Sequence, residues 1–198
     1  YIFGGLESWD ALVCISSAGK EVVEKTIDFY HESFERKYDI KITKQKRPQL
    51  YTIPLAVNDI TYHKSLTRKE KRLKARETLG ISENAIVILF LGRLSFHAKS
   101  HPLALYKAIS RIIKDTGNKE IILLECGTFP SKGAEQEYNK LIYSFENLTV
   151  KRVGGLNQAT EQAKIDSLNA SNIFVSLSDN IQETFGLTVI EAMAAELP

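Results

Sequence analysis

Two carboxylates bracket a glycine near the end of this 198-residue chain, where Glu183 precedes Gly186 and Glu191 follows it. Strong helix formers follow Gly186, so the pattern predicts a helix over residues 185–195, with Glu191 about two turns into it. The first backbone N–H groups of a helix lack partners within it and can bind an anion such as a diphosphate. Glu183 can then reach a group beyond the phosphates and Glu191 a diol on the near side. For either acid alone, stabilisation of the helix dipole is the alternative role.

Two cations follow an apolar run further upstream. Gly92 comes directly after the predicted strand at residues 85–91 and permits a ligand to approach the backbone closely, and Arg93 and Lys99 bring two positive charges to the same loop. Such charges stabilise a leaving nucleotide diphosphate as its bond to a sugar breaks. The alternative is that Arg93 pairs with a structural acid and Lys99 lies at the surface.

The composition is that of an ordinary globular protein, with 43% hydrophobic and 25% charged residues. A net charge of +2 gives no indication of general attraction to nucleic acid. Cys14 and Cys126 each lie in a predicted buried strand, which favours reduced thiols and a cytoplasmic location. The sequence shows neither a membrane-spanning run nor a signal-peptide pattern. Because the chain starts at Tyr1 and stops abruptly at Pro198, we expect both ends to be cut.

The apolar pattern alternates between strands and helices. In the first part it predicts a strand at 11–15, a helix at 20–37 capped by Ser16 or Ser17, and a strand at 50–53. Seven Lys/Arg residues lie between Lys64 and Arg76, where a solvated helix face is favoured over a phosphate-binding surface.

After Gly80 the alternation becomes regular. Strands are predicted at 85–91, 120–126, 148–153 and 172–177, and helices at 102–114, 132–145, 158–170 and 185–195. Continuously apolar strands separated by helices indicate a Rossmann-like parallel sheet covered on both faces. Ligands bind such sheets at the carboxyl ends of the strands. The candidate site segments, which are Gly92-Arg93, Gly127, Gly154-Gly155 and residues 183–187, each follow a predicted strand directly.

Taken as an ordered set, three segments resemble the retaining GT-B glycosyltransferases of family 4. They are Ile-Pro-Leu-Ala-Val-Asn at 53–58, Leu-Phe-Leu-Gly-Arg-Leu-Ser at 89–95 with Lys99, and the segment from Glu183 onward. In this last segment seven residues separate Glu183 from Glu191, and Ala-Met-Ala-Ala follows Glu191. The resemblance extends from about Asp10 to Pro198. It implies that residues 1–57 end an N-terminal acceptor domain, 58–80 form a linker and basic helix, and 81–198 form most of a nucleotide-sugar-binding Rossmann-like domain.

The resemblance also assigns roles to individual residues. It implies catalytic roles for Arg93 and Lys99 on the diphosphate and for Glu183 on the hydroxyls of the transferred sugar. It implies that Glu191 binds the ribose diol. The remaining implied donor contacts come from the backbone, at Gly92, Phe185, Gly186 and Leu187 for the phosphates and at Val153 and Gly154 for the base. An ordinary glycine turn is the alternative at Gly154.

The implied reaction moves a sugar from a UDP-, GDP- or ADP-sugar to a glycan, lipid or small-molecule acceptor, with retention of anomeric configuration. No cofactor, metal or nucleic acid is expected to take part, since no ligand spacing is found. The absent domain is where peripheral membrane contact could occur, and these residues alone are expected to be inactive. Two alternatives are a non-catalytic sugar-nucleotide-binding module or partner subunit, and another GT-B-type enzyme such as a phosphorylase or a nucleotide-sugar epimerase.

Two positions depart from the family pattern. Ser100 replaces the glycine that usually follows the lysine, and His97 and His101 flank it as possible phosphate contacts, although exposed loop residues are the favoured interpretation. Glu196 replaces a glycine that ends the last helix with a positive φ. We therefore expect either a strained glutamate or a different helix end.

Overall fold

The protein was examined as a computed structural model that describes residues 6–41, 47–57, 66–117, 120–178 and 185–198. The chain divides into two compact units, unit 1 at Tyr1–Ala56 and unit 2 at Val57–Pro198. Each unit is described by itself below.

Unit 1 is a strand–helix–strand segment. It contains β1 (Ala11–Cys14), α1 (Ser17–Tyr38) and β2 (Gln49–Thr52), and the two strands pair in parallel. The Ser16 hydroxyl accepts a hydrogen bond from the Gly19 N–H at 3.0 Å, so Ser16 is the N-cap and the helix begins three residues earlier than predicted. Cys14 and Ile27 are buried in this unit, whereas Val13 and Phe29 are exposed.

Unit 2 contains the alternating elements that the apolar pattern predicts. They are α2 (Arg68–Leu79), β3 (Ile86–Leu91), α3 (Leu103–Thr116), β4 (Ile121–Thr128), α4 (Lys132–Tyr143), β5 (Thr149–Gly155), α5 (Glu161–Ala170), β6 (Ile173–Phe174) and α6 (Leu187–Ala194). The sheet has the order β5-β4-β3-β6, and all its pairings are parallel. The predicted α/β class with a parallel sheet is therefore confirmed.

Helices cover both faces of this sheet. Alternate residues of β3 point to opposite sides, so Val87, Leu89 and Leu91 pack in one apolar cluster with residues of α5 and α6. Ile88 and Phe90 pack in a second cluster with residues of α3 and α4. Burial on both faces explains why β3 is apolar throughout.

Several element boundaries differ from the prediction. Strands β4 and β5 each run two residues further, so Gly127, Gly154 and Gly155 lie within strands and not after them. The β6 ladder covers only two of the six predicted residues, and at its start the Asn172 side chain accepts the Val87 N–H at 2.8 Å. Helix α6 begins at Leu187, which places Glu191 in its second turn.

Two arginines of the basic helix α2 are not solvated. The Arg76 side chain is buried and donates from Nε to the Ala170 carbonyl at 2.9 Å. Arg68 donates from Nη1 to the Asn169 carbonyl at 2.8 Å and from Nη2 to the Ser171 carbonyl at 2.9 Å. The last carbonyls of a helix have no partner within it, so these guanidinium groups satisfy the end of α5. The prediction of a solvated face is wrong for these two residues.

Helix α6 ends with the positive φ that the family pattern requires, but with glutamate in the glycine position. Glu196 has φ +58°, and its N–H donates to the Met193 carbonyl at 3.0 Å. The Leu197 N–H donates to the Ala192 carbonyl at 3.0 Å, which completes a Schellman motif, and the Leu197 side chain is buried. Of the two expected outcomes, the structure shows the strained glutamate.

Replacing Glu196 with glycine should stabilise the fold by about 0.5 to 1 kcal/mol, because the left-handed conformation costs an L-residue energy that glycine avoids. Burial lowers the pKa of Arg68, and the charge of Glu196 opposes that shift. Glu196→Gln is therefore the control that removes the charge and keeps the strained backbone. Urea unfolding measures both variants, and a Glu196→Gly protein no more stable than Glu196→Gln would contradict the strain assignment.

Candidate active site at the carboxyl end of the sheet

The strand order reverses its direction at β3. The chain passes from β3 to β4 and β5 on one side and returns to β6 on the other side of β3. In open parallel sheets, ligands bind at such a switch point, outside the carboxyl ends of the strands. The loop that follows β3 and the helix that follows β6 both lie at this edge of the sheet. These are the segments that carry the predicted site residues.

Three glycines let the ends of neighbouring strands come together without side chains. A Cβ atom on Gly127 would lie 1.8 Å from the Gly92 carbonyl oxygen, and one on Gly154 would lie 2.3 Å from the Gly127 carbonyl oxygen. Gly154 also has φ +97°. The sequence identified Gly92 and Gly154 as site residues, and Gly127 is the link between them. The strand ends at this edge therefore pack backbone against backbone.

The loop after β3 brings together the two predicted cations. Arg93 is exposed, and its Nη2 donates to the Ala98 carbonyl at 3.3 Å. Lys99 is 9% exposed, and its stem crosses Gly92, where an added Cβ would lie 3.1 Å from Lys99 Cε. The alternative prediction, that Lys99 lies at the surface, is therefore wrong. Both side chains belong to one short loop at the end of β3.

An aromatic stack lies beneath this loop, and the sequence gave no sign of it. The Phe96 ring stacks on Tyr138 of α4 with centroids 4.6 Å apart, and His101 stacks on Phe96 at 4.7 Å. The Tyr138 side chain is fully buried, whereas His97 and His101 are exposed as favoured. His101 Nδ1 accepts the Leu103 N–H at 3.2 Å. Stacking of this kind restrains the loop that carries Arg93 and Lys99.

A buried charge supports the same region from below. Glu125 on β4 is 2% exposed and accepts hydrogen bonds from the Tyr106 hydroxyl and from Arg152 Nε, the latter at 2.8 Å. Burial raises the pKa of Tyr106, and the charge of Glu125 raises it further. Ser100 is also buried and lines a cavity of about 10 Å³ with Glu125 and Tyr138. Its departure from the family glycine therefore fits the packing beneath the loop.

Glu191 forms an ion pair that the sequence did not indicate. Its side chain is 9% exposed, and its Oε1 accepts a hydrogen bond from Lys164 Nζ of α5 at 2.7 Å. Lys164 also lies 3.0 Å from Glu161. Burial raises the pKa of the Cys126 thiol, and the charges of Lys164 and Glu191 also act on it. Lys164 lies in the first turn of α5, directly after the carboxyl end of β5, so the ion pair lies at the same edge of the sheet as the loop after β3.

The remaining predicted residues lie at the start of α6 and on β5. Gly186 is the N-cap of α6 and has φ +78°, and its position provides no side-chain hydrogen bond to cap the first N–H groups of the helix. Phe185 and Leu187 beside it are partly exposed. Val153 is half-buried on β5 and packs against the core. Glu183 lies outside the described residues.

The described residues outside this edge of the sheet carry neither a metal-binding cluster nor a membrane-spanning helix. Within the described ranges, no group of three or more His, Cys, Asp or Glu side chains could hold a metal ion. None of the described helices has the length and apolar character needed to cross a membrane. A groove of about 540 Å³ lies between α3 and the loop before β5, at the amino ends of the strands. Its Arg111 is 3.5 Å from Asp115, so the positive charge there is partly neutralised.

The family model described as glycosyl transferases group 1 matches residues 71–198, which is more than half of the chain. The chain belongs to this family. Its match includes every predicted site residue, from Gly92 to Glu191. A search of curated protein sequences gives no significant match.

Solved structures confirm the fold of this group 1 member. A Rickettsia africae glycosyltransferase is 20% identical, with a TM-score of 0.57 over 95% of this chain and 43% of its own. The E. coli trehalose-6-phosphate protein bound with UDP-2-fluoro glucose is 14% identical, with a TM-score of 0.61 over 94% and 43%. The catalytic domain of Arabidopsis thaliana starch synthase IV, bound to ADP and acarbose, is 16% identical, with a TM-score of 0.55 over 96% and 38%. The architecture is that of GT-B glycosyltransferases, and the chain spans less than half the length of these relatives.

Proposed function

We propose that the full-length protein transfers a sugar from a nucleotide-diphosphate sugar to an acceptor, with retention of anomeric configuration. The observation that carries the proposal is the loop after β3, where the stem of the buried Lys99 packs over Gly92 beside the exposed Arg93. This loop lies at the switch point of the sheet. Solved relatives bound to UDP-2-fluoro glucose and to ADP support a nucleotide-sugar donor.

The chemistry assigned to the loop is electrostatic. As the bond between the anomeric carbon and the phosphate oxygen breaks, negative charge accumulates on the leaving nucleotide diphosphate. Arg93 and Lys99 supply fixed positive charge there, and the first N–H groups of α6 supply hydrogen-bond donors. Since the charge grows during the reaction, these groups stabilise the transition state more than the bound substrate.

The other donor contacts complete the proposal. Glu183 contacts the hydroxyls of the transferred sugar, and Glu191 contacts the ribose diol. Backbone groups at Val153 and Gly154 face the base, which is that of a UDP-, GDP- or ADP-sugar. The acceptor is a glycan, a lipid or a small molecule, and the proposed location is the cytoplasm. No cofactor beyond the donor is required.

A non-catalytic binding module is the alternative function. It would be favoured if the two departures from the family pattern, Ser100 and Glu196, disrupted the site. Ser100 is accommodated in the packing beneath the loop, and Glu196 adopts the positive φ that the family glycine would adopt. Neither substitution disturbs the arrangement of Arg93 and Lys99. The structure therefore gives the rival no specific support.

A thermal-shift panel of UDP-, GDP- and ADP-sugars on the full-length protein tests the proposal. A ligand that binds only the native state at a hundredfold excess over its Kd adds about 2.7 kcal/mol of stability, so one nucleotide series should raise Tm by several degrees. The Glu183→Gln protein should keep the shift with the bare nucleotide and lose part of the additional shift with the sugar nucleotide. If no donor raises Tm and no sugar transfer is detected, the proposed function is wrong.

A further inference from the structure

We propose that Lys164 is a positioning residue that orients the Glu191 carboxylate toward the ribose hydroxyls of the nucleotide. The inference deepens the proposed function and rests on it. It assigns a role to α5, an element to which the sequence analysis gave none. The two side chains belong to different helices, so their contact depends on the tertiary fold.

Among the described residues, the hydrogen bond to Glu191 goes to one carboxylate oxygen and leaves the other for a ligand. Lys164 Nζ donates to Glu191 Oε1 at 2.7 Å. An ionised carboxylate has two oxygens that together accept about four hydrogen bonds, so the pair leaves Oε2 and part of Oε1 for a diol. A glutamate side chain has three rotatable torsions, and a contact to Lys164 on a neighbouring helix removes much of that freedom. Ordering before the ligand arrives lowers the entropic cost of binding.

The surroundings of the pair distinguish it from a surface ion pair. The side chains of Lys164 and Glu191 are 23% and 9% exposed, whereas that of Glu161, the other acid beside Lys164, is 66% exposed. An exposed pair contributes little, while a partly buried pair is held in one geometry. Lys164 lies in the first turn of α5, which follows the carboxyl end of β5, so the pair lies at the ligand edge of the sheet.

The test uses nucleotides with and without ribose hydroxyls. The full-length Lys164→Met protein is titrated calorimetrically with UDP, GDP and ADP and with their 2′,3′-dideoxy counterparts. Affinity for the preferred nucleotide should fall about five- to twentyfold, part of the loss expected for one charge-assisted hydrogen bond. Affinity for its dideoxy form should stay within about twofold of wild type. Glu161→Gln is the matched control, since it removes the exposed partner of Lys164, and it should leave both affinities unchanged.

A second variant shows whether Lys164 acts through Glu191. In a Glu191→Gln background, Lys164→Met should cause little further loss, because the oriented group is already changed. Lys164→Gln, which keeps a donor for Oε1, should retain more affinity than Lys164→Met, and it replaces Lys164→Met if that protein does not fold. Equal losses for the nucleotide and its dideoxy form, or tighter nucleotide binding by Lys164→Met, would overturn the inference.

The two levels of the proposal fail in different ways. If Glu191→Gln alone leaves nucleotide affinity unchanged, the ribose contact in the proposed function is wrong, and the role of Lys164 is wrong with it. If Glu191→Gln weakens the nucleotide but Lys164→Met does not, only the positioning role is wrong.

Discussion

Replacing Gly127 with alanine should destabilise unit 2 by about 4 kcal/mol or more, which is the extreme of single-substitution effects. The new Cβ would lie 1.8 Å from the Gly92 carbonyl oxygen and about 3.0 Å from the carbonyl carbon. Both neighbouring atoms are backbone, so no side-chain rotation relieves the contact. The strands would have to separate where the Gly92 N–H donates to the Cys126 carbonyl at 3.0 Å. Urea unfolding should show the loss as a lower midpoint.

Gly133→Ala provides the matched control for this substitution. A Cβ atom on Gly133 would have its nearest neighbour at 3.7 Å, the Ser131 hydroxyl, which is ordinary contact. Gly133 lies in the first turn of α4, where alanine is the better helix former, so its replacement should be neutral or stabilise by up to about 1 kcal/mol. A Gly127→Ala protein that is as stable as Gly133→Ala would show that the strands at this edge are less closely packed than the structure indicates.

The elements of unit 2 could be predicted because their signal is local. Strand β3 is apolar at every position, and α3 and α4 repeat their apolar residues along one face, so periodicity identifies the class and the order. The candidate site could be placed for a related reason. In a parallel sheet, every strand end that precedes a helix lies at the same edge, so glycine and charged residues after predicted strands must gather there.

The remainder of the site depends on contacts that have no local signal. Lys164 meets Glu191 across 27 positions of sequence, and Arg76 meets the Ala170 carbonyl across 94. Glycine is a weak strand former, which is why Gly127 and Gly154 seemed to end their strands. Their pairing with each other, seen only in the assembled sheet, keeps both within it.

The contacts of the loop after β3 also have no local signal in the sequence. Its charges could be identified from composition, but the burial of Lys99 could not, because lysine is normally exposed. The stem of Lys99 packs over Gly92, which has no side chain of its own to prevent this contact. The stack of Phe96 on Tyr138 joins a loop to a helix 42 positions away. Tertiary packing therefore decides which of the charges near Gly92 is held in place.

Lys99→Met should lower kcat of the full-length enzyme by about a hundred- to a thousandfold, the usual cost of removing one group that stabilises developing charge. Methionine retains an unbranched stem that can pack over Gly92, so Tm should change little while the positive charge is lost. The exposed Arg93 has more freedom, and Arg93→Ala should act mainly on affinity, weakening the nucleoside diphosphate by about ten- to a hundredfold and the nucleoside hardly at all.

Steady-state kinetics with varied donor distinguishes these roles, because the loss of an interaction made only in the transition state lowers kcat and kcat/KM together. Lys107→Met, an exposed lysine of α3 outside the site, should keep both constants within about twofold of wild type, since it contacts no proposed donor group. A Lys99→Met enzyme with a raised KM and an unchanged kcat would mean that this charge stabilises the bound donor and the transition state equally. The transition-state role of Lys99 would then be wrong, and its burial over Gly92 would serve donor affinity alone.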